Sequence, residues 1–359
     1  MPFVNQKFDQ PILDYKNHKI FLNEIGENIF EFKSEEVISK LIFKLATGKD
    51  FVLKKEDPQL FKPQQNKRQF SGGKTAFIVP FFSFYKNDVT IENYNIFKSQ
   101  IPEKDLFVIE LSFFDLPFFI KEAKIRLKAG LEGLLWQKER LMNIILDHIP
   151  KEYANIAWVD ADILFRNKNF IKDIDLKLND HSVIQLFKKA NWLEADNRIS
   201  QEWQTIIFNN DTRTHHPGFG WAARREEIEK IKFFDYHITG NGDVFIYSLL
   251  SGTRSSWSNS FLKLPGVNYC AEKYIEKARK YLKSDVSYLD DEIDHLYHGD
   301  YSNRLYHERH MILEKGNFDP VEHLRINDNG LFEWNFQSEE AKKISQDINN
   351  YLKLRKEYD

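Results

Sequence analysis

The chain has 359 residues, 42% of them hydrophobic and including 31 Phe, 15 Tyr and 7 Trp, so it can build a substantial core. Its 51 Lys and Arg against 54 Asp and Glu leave a formal charge of -3, which argues against nonspecific nucleic-acid binding through a basic surface. The single cysteine, Cys270, rules out an intramolecular disulfide and a cysteine-rich zinc site, and reads as a small buried residue.

The opening residues Met1 to Lys7 carry no apolar run after a basic start, so no signal peptide is expected. No stretch approaches the about 18 consecutive apolar residues of a membrane span. A soluble, cytoplasmic protein is the expectation. Residues 1 to about 70 read as a small α+β accessory unit. Lys19 to Leu22 and Asn28 to Phe32 are short strands around Gly26. Ser34, Glu35 and Glu36 open an amphipathic helix through Val37, Leu41 and Leu45 to Gly48. The polar run from Lys62 to Arg68, then Ser71-Gly72-Gly73, reads as a linker.

From residue 71 to 315 the pattern alternates. Ala76 to Phe81 is an apolar strand expected to stop at Pro80, and a helix follows around Asn93 to Ser99. The strand Leu106 to Leu111 and a helix from about Leu131 to His148 come next. The strand Asn155 to Val159, a further helix and the strand Ser182 to Phe187 complete the series. Such alternation predicts an α/β fold with an open, mostly parallel sheet flanked by helices. Its ligands should bind beyond the carboxyl ends of the strands. Residues 316–359 are expected to add a helical extension.

Five segments carry candidate chemistry. Val159-Asp160-Ala161-Asp162 ends an apolar strand, and two carboxylates there are costly unless a cation binds them. A divalent ion sharing oxygens with a diphosphate suits that place. In the helix Trp136 to Asn143, the residues Gln137, Lys138, Arg140 and Asn143 can line a cleft and offset phosphate charge. The segment His215 to Arg225 sets Gly218 and Gly220 around Phe219, with Trp221 as a flat platform for a sugar ring. His215 and His216 stay unassigned, since neighbours on a strand face opposite ways. Thr239-Gly240-Asn241-Gly242-Asp243 leads into an apolar helix, so Asp243 either caps it or accepts a proton from an incoming hydroxyl. Last, His298-Gly299 precedes Arg304, His307, Arg309 and His310, as a metal ligand feeding a phosphate-binding loop would. Mixed Asp and His ligation favours Mn²⁺ over Mg²⁺.

In this order the segments resemble GT-A (Rossmann-like) glycosyltransferases over about residues 74 to 315. The likeness is to inverting galactosyl- and N-acetylgalactosaminyl-transferases and to family-2-like proteins. It implies Asp160, Asp162 and His298 at the metal and Asp243 as general base. It also implies Glu110, Gln137, Lys138, Arg140, Asp160, Trp221 and Arg304 around the nucleotide-sugar donor. The acceptor would be a hydroxyl on a glycan, lipid-linked or protein-linked molecule, which leaves peripheral membrane association open. Two other readings remain: a metal-dependent phosphoryl-transfer or hydrolytic enzyme, and a noncatalytic carbohydrate-binding protein on a degenerate transferase fold.

Overall fold

The computed structural model describes the backbone of three strands between residues 13 and 33, and residues 73–208, 214–251, 261–282 and 286–355. The chain divides into two compact units, Met1–Pro58 and Gln59–Asp359. In the first, β1 (Leu13–Tyr15), β2 (His18–Gly26) and β3 (Ile29–Lys33) form an antiparallel sheet with Leu22 opposite Phe32. The expected helix from Ser34 to Gly48 and the linker up to Gly72 lie outside the described residues.

The second unit starts from four parallel strands: β4 (Lys74–Ser83), β5 (Leu106–Phe113), β6 (Ile125–Ala129) and β7 (Tyr153–Val159). The chain runs on through β8 (Ile163–Phe165), β9 (Val183–Gln185), β10 (Lys189–Leu193) and β11 (Ile199–Thr205). Then come β12 (His215–His216), β13 (Gly220–Arg224), β14 (Val286–Tyr288) and β15 (Glu292–His295). The main sheet has the order β14-β9-β13-β7-β4-β5-β6, and only β13 runs against its neighbours. This is the mostly parallel, open α/β sheet that the alternation of strands and helices predicts.

Strand alternation divides the core between the two faces. Ala76, Ile78, Ile109, Ile156 and Trp158 pack on one side, and Phe77, Val79, Val108, Ala157 and Val159 on the other. On the second face lie α1 (Asp88–Lys98), through Tyr94 and Phe97, and a later helix, through Phe170 and Ile174. The first face takes α2 (Lys138–Leu146), through Leu141, Met142 and Ile145. The later helix is α3 (Phe170–Lys177), followed by α4 (Arg225–Ile231), α5 (Gly242–Ser251) and α6 (Pro265–Tyr281). Beyond α7 (Tyr306–Lys315) and the single turn α8 (Pro320–His323), the hairpin β16 (Leu324–Ile326) and β17 (Phe332–Trp334) leads to α9 (Glu339–Leu354). Phe332, Trp334, Ile344 and Ile348 of these last elements join the core on the α2 face.

Two expectations are corrected, and one feature was not anticipated. Pro80 does not end its strand, which continues to Ser83. The last β7 pairing is Ile78 with Trp158, so Pro80 lies where β4 has only β5 beside it and its missing N–H breaks no second ladder. The helix expected from Leu131 begins only at Lys138, because Leu131–Gly133 forms a 3₁₀ turn and Gln137 is the N-cap. Finally, the sequence reading did not anticipate a second sheet, ordered β12-β11-β10-β15-β8. Among the described residues no helix is long and apolar enough to cross a membrane.

Candidate active site

The Asp-x-Asp segment lies where the chain passes from one sheet to the other. β7 ends at Val159, the Asp160 N–H donates to the Phe219 carbonyl at 2.9 Å, and β8 begins at Ile163. There β15 pairs antiparallel, with His295 opposite Ile163, while the Leu296 N–H donates to the Asp162 carbonyl at 2.9 Å. Both carboxylates therefore open into a cleft of about 320 Å³ beyond the carboxyl end of β7.

One end of the cleft is a set of metal donors. One ligand atom each from Asp162, His295 and His298 lies within 4.8 Å of the others. His298 Nε2 is 3.1 Å and His295 Nε2 3.6 Å from Asp162 Oδ2. Asp162 Oδ1 and His295 Nδ1 are buried with no hydrogen-bond partner among the described residues. Burial, then the Arg304 charge, holds both imidazoles well below the usual histidine range, so they are neutral and able to ligate. Burial and the neighbouring Asp160 push the Asp162 carboxyl up to about 7, against the pull of Arg304 and Lys138. Arg304 rests on the His298 ring, against Nε2 and 3.0 Å from Nδ1, and over the Trp192 ring at 5.4 Å. An orphaned carboxylate oxygen and two neutral imidazoles fit a divalent cation.

The middle of the cleft is a chain of charges. Lys138 Nζ stands 2.6 Å from Asp160 Oδ1 and 3.1 Å from Asp243 Oδ2. Burial disfavours the ammonium, but Asp160 and Asp243 outweigh it and raise its pKa above the ordinary lysine value. Burial raises the Asp243 carboxyl as well, against the pull of Lys138. Phe219 (φ 77°) and Asn241 (φ 70°) bracket the site in left-handed conformations, the kind of backbone strain that collects at working sites.

Lys138, Asp160, Asp162, Asp243, His298 and Arg304 thus meet in one cleft, as the sequence motifs suggest. Asp160 is placed differently from expectation, turned to Lys138 and not into the donor set. Four other residues expected near the donor are used elsewhere. Glu110 is 1% exposed and its carboxylate accepts the backbone N–H groups of Phe119 and Ile120. Gln137 clasps Phe332, accepting its N–H at 2.8 Å and donating to its carbonyl at 3.2 Å. Arg140 donates to the Gly330 carbonyl and pairs with Asp235 at 3.2 Å. Trp221 is buried in β13, its Nε1–H given to the Pro217 carbonyl at 2.7 Å, so it offers no face to a sugar.

The sequence reading missed His295, although the His-x-x-His spacing at a strand end was visible. It also missed the aromatic rings that do line the cleft, Trp192 and Trp203. His216 likewise lines it, a neutral ring stacked on Phe219 at 3.9 Å with a pKa lowered to about 3 by burial and the Arg304 charge.

No protein-family model and no curated protein matches the sequence. Solved glycosyltransferases are similar to it. β-1,4-Galactosyltransferase 7 from Drosophila, solved with xylobiose, is 12% identical over 60% of this chain, at a TM-score of 0.31. The chain spans 64% of that solved catalytic domain. Glucosyl-3-phosphoglycerate synthase from Mycobacterium tuberculosis, solved with Mn²⁺, UDP and phosphoglyceric acid, is 12% identical over 68% of this chain and 77% of its own, at 0.36. A 4-diphosphocytidyl-2C-methyl-D-erythritol synthase from Anaerococcus prevotii is 10% identical over 68% of this chain and 98% of its own, at 0.31. The chemistry of the cleft rests on its own residues.

Proposed function

We propose that the chain is a metal-dependent glycosyltransferase. It moves a sugar from a nucleotide-sugar donor, UDP- or GDP-linked, to an acceptor hydroxyl on a glycan or glycoconjugate, with inversion. The observation that carries this reading is the meeting, in one cleft, of a cation donor set with a lysine-held carboxylate. Asp162, His295 and His298 would hold the cation, with Mn²⁺ suiting mixed oxygen and imidazole ligands. When bound, it supplies Lewis-acid stabilisation of the departing nucleoside diphosphate.

The chain's own residues do the rest. Arg304 and Lys138 place fixed positive charge around the diphosphate, in a cleft where water screens little. Lys138 orients Asp243, which takes the proton of the acceptor hydroxyl as that oxygen bonds to the anomeric carbon. Attack from the face opposite the leaving diphosphate inverts the configuration. Calorimetric titration of UDP and GDP, with and without Mn²⁺, tests the reading. Binding should be metal-linked and weakened by both Asp162→Ala and His298→Ala. Metal dependence unchanged in both variants would remove the site.

A further inference from the structure

Glu139 follows Lys138 in the first turn of α2 and lines the same cleft. It is 2% exposed, and its Oε1 has no hydrogen-bond partner among the described residues. Room for that oxygen is made by Gly242 at the start of α5. A Cβ built on Gly242 would stand 2.0 Å from Glu139 Oε1, so any larger residue there evicts the carboxyl group. A buried oxygen acceptor left without a donor is costly, so a ligand that brings an O–H or N–H recovers free energy by filling it.

The surroundings select the ligand. Trp136, Phe82 and Phe84 line the cleft on this side, with Trp136 packed edge-on against Phe82 at 4.9 Å. Arg355 lies over the Trp136 ring at 5.0 Å, and Lys138 and Asp243 line the cleft beside Glu139. Aromatic walls with several polar groups converging between them suit a ring that is apolar on its face and hydroxylated at its edge. Burial pushes the Glu139 carboxyl up to about 8, against the pull of Lys138, so a neutral hydroxyl suits it better than a second cation.

We infer that Glu139 receives a hydroxyl of the sugar handled in this cleft and thereby reads its configuration. The inference rests on the transferase reading and adds to it a residue that decides between sugars. A site that hydrogen-bonds one hydroxyl discriminates strongly against an analogue that lacks it or turns it away. The hydroxyl belongs either to the donor sugar or to the acceptor, and the two sources are separable.

The test compares wild type with Glu139→Ala, Glu139→Gln and Gly242→Ala in the presence of Mn²⁺. Affinities are measured for UDP and GDP and for their glucose, galactose and mannose conjugates, with thermal midpoints alongside. For a donor hydroxyl, Glu139→Ala and Gly242→Ala bind the preferred nucleotide sugar about tenfold more weakly and the bare nucleotide as before. Glu139→Gln, which keeps an oxygen at the same reach, recovers most of the loss. For an acceptor hydroxyl, all donor affinities stay put and the KM for p-nitrophenyl glycoside acceptors rises in the Ala variants while donor hydrolysis is unchanged. Equal weakening of nucleotide and nucleotide sugar, or no change in any arm, overturns the inference. Wild type that binds no nucleotide at all fails earlier and overturns the transferase reading itself.

Discussion

Lys138 Nζ lies 2.6 Å from Asp160 Oδ1, and the same ammonium reaches Asp243 Oδ2 at 3.1 Å. One side chain from the start of α2 therefore ties the end of β7 to the first turn of α5. Its side chain is only 12% exposed, so the pairing operates where charge is poorly hydrated. Lys138→Met keeps the length and removes the cation, leaving two partly buried carboxylates facing each other. We expect a loss of about 3 kcal/mol in urea unfolding at neutral pH without metal. A variant within about 0.5 kcal/mol of wild type would show the triad to be dispensable for the fold.

The donor set makes a separate forecast. His295→Ala should weaken Mn²⁺ binding by at least about tenfold in calorimetry, comparably to His298→Ala, because each removes one neutral imidazole. Asp160→Asn, whose parent carboxylate is turned to Lys138, should cost far less Mn²⁺ affinity than Asp162→Asn. An equal loss for the two aspartate variants would put Asp160 in the first coordination sphere after all.

The contrast between Asp162 and His295 shows what a sequence discloses. Asp160 and Asp162 were legible because the unbroken apolar run Ile156 to Val159 ends on them, and buried parallel strands present their carboxyl ends to ligands. Asp243 was legible from its glycines and the apolar helix behind it. His295 closes a strand of four residues in a sheet whose other strands are either short, such as β8, or partly polar, such as β11 with its Ser200, Gln201 and Glu202. Neither length nor periodicity marks such strands. Gln137 and Arg140 failed for another reason. Helical periodicity separates faces, but the partner of this face is the hairpin around Gly330 and Phe332, roughly two hundred residues along the chain. Pro80 needed the lengths of both neighbouring strands to be placed correctly.

Glu139 gives a pH dependence whose sign is fixed. Its carboxyl ordinarily titrates at 4.5 and is pushed up to about 8 in the fold, chiefly by burial. Between those values the unfolded chain holds fewer protons than the native one, so this group's contribution to stability falls as pH rises. Glu139→Gln has no proton to lose. Its stability relative to wild type should therefore climb between about pH 5 and about pH 9, measured by urea unfolding without metal. A constant difference across that range would mean that Glu139 is ionised throughout in the native protein.

Asp243→Asn addresses the proposed base. The structure supplies a rival explanation for any effect, because a neutral amide in place of the Asp243 carboxylate could no longer form an ion pair with Lys138, and the ammonium would be left with Asp160 alone. Some stability should therefore be lost whatever the catalytic role. Adding Lys138→Met to Asp243→Asn removes the cation together with one of its two partners. The double variant should be destabilised by less than the sum of the single effects, since the residues are in direct contact. Turnover separates the two explanations. If Asp243 only anchors Lys138, transfer should follow donor affinity and stability, and saturating donor should restore it. If Asp243 accepts the hydroxyl proton, single-turnover transfer at saturating donor should fall about 100- to 10,000-fold in Asp243→Asn. Donor binding would meanwhile stay within a few-fold of wild type. That loss should shrink at high pH, where hydroxide begins to do the work of the missing carboxylate. A folded, donor-saturated Asp243→Asn that transfers at near the wild-type rate would end the base assignment and leave Asp243 as the second anchor of Lys138.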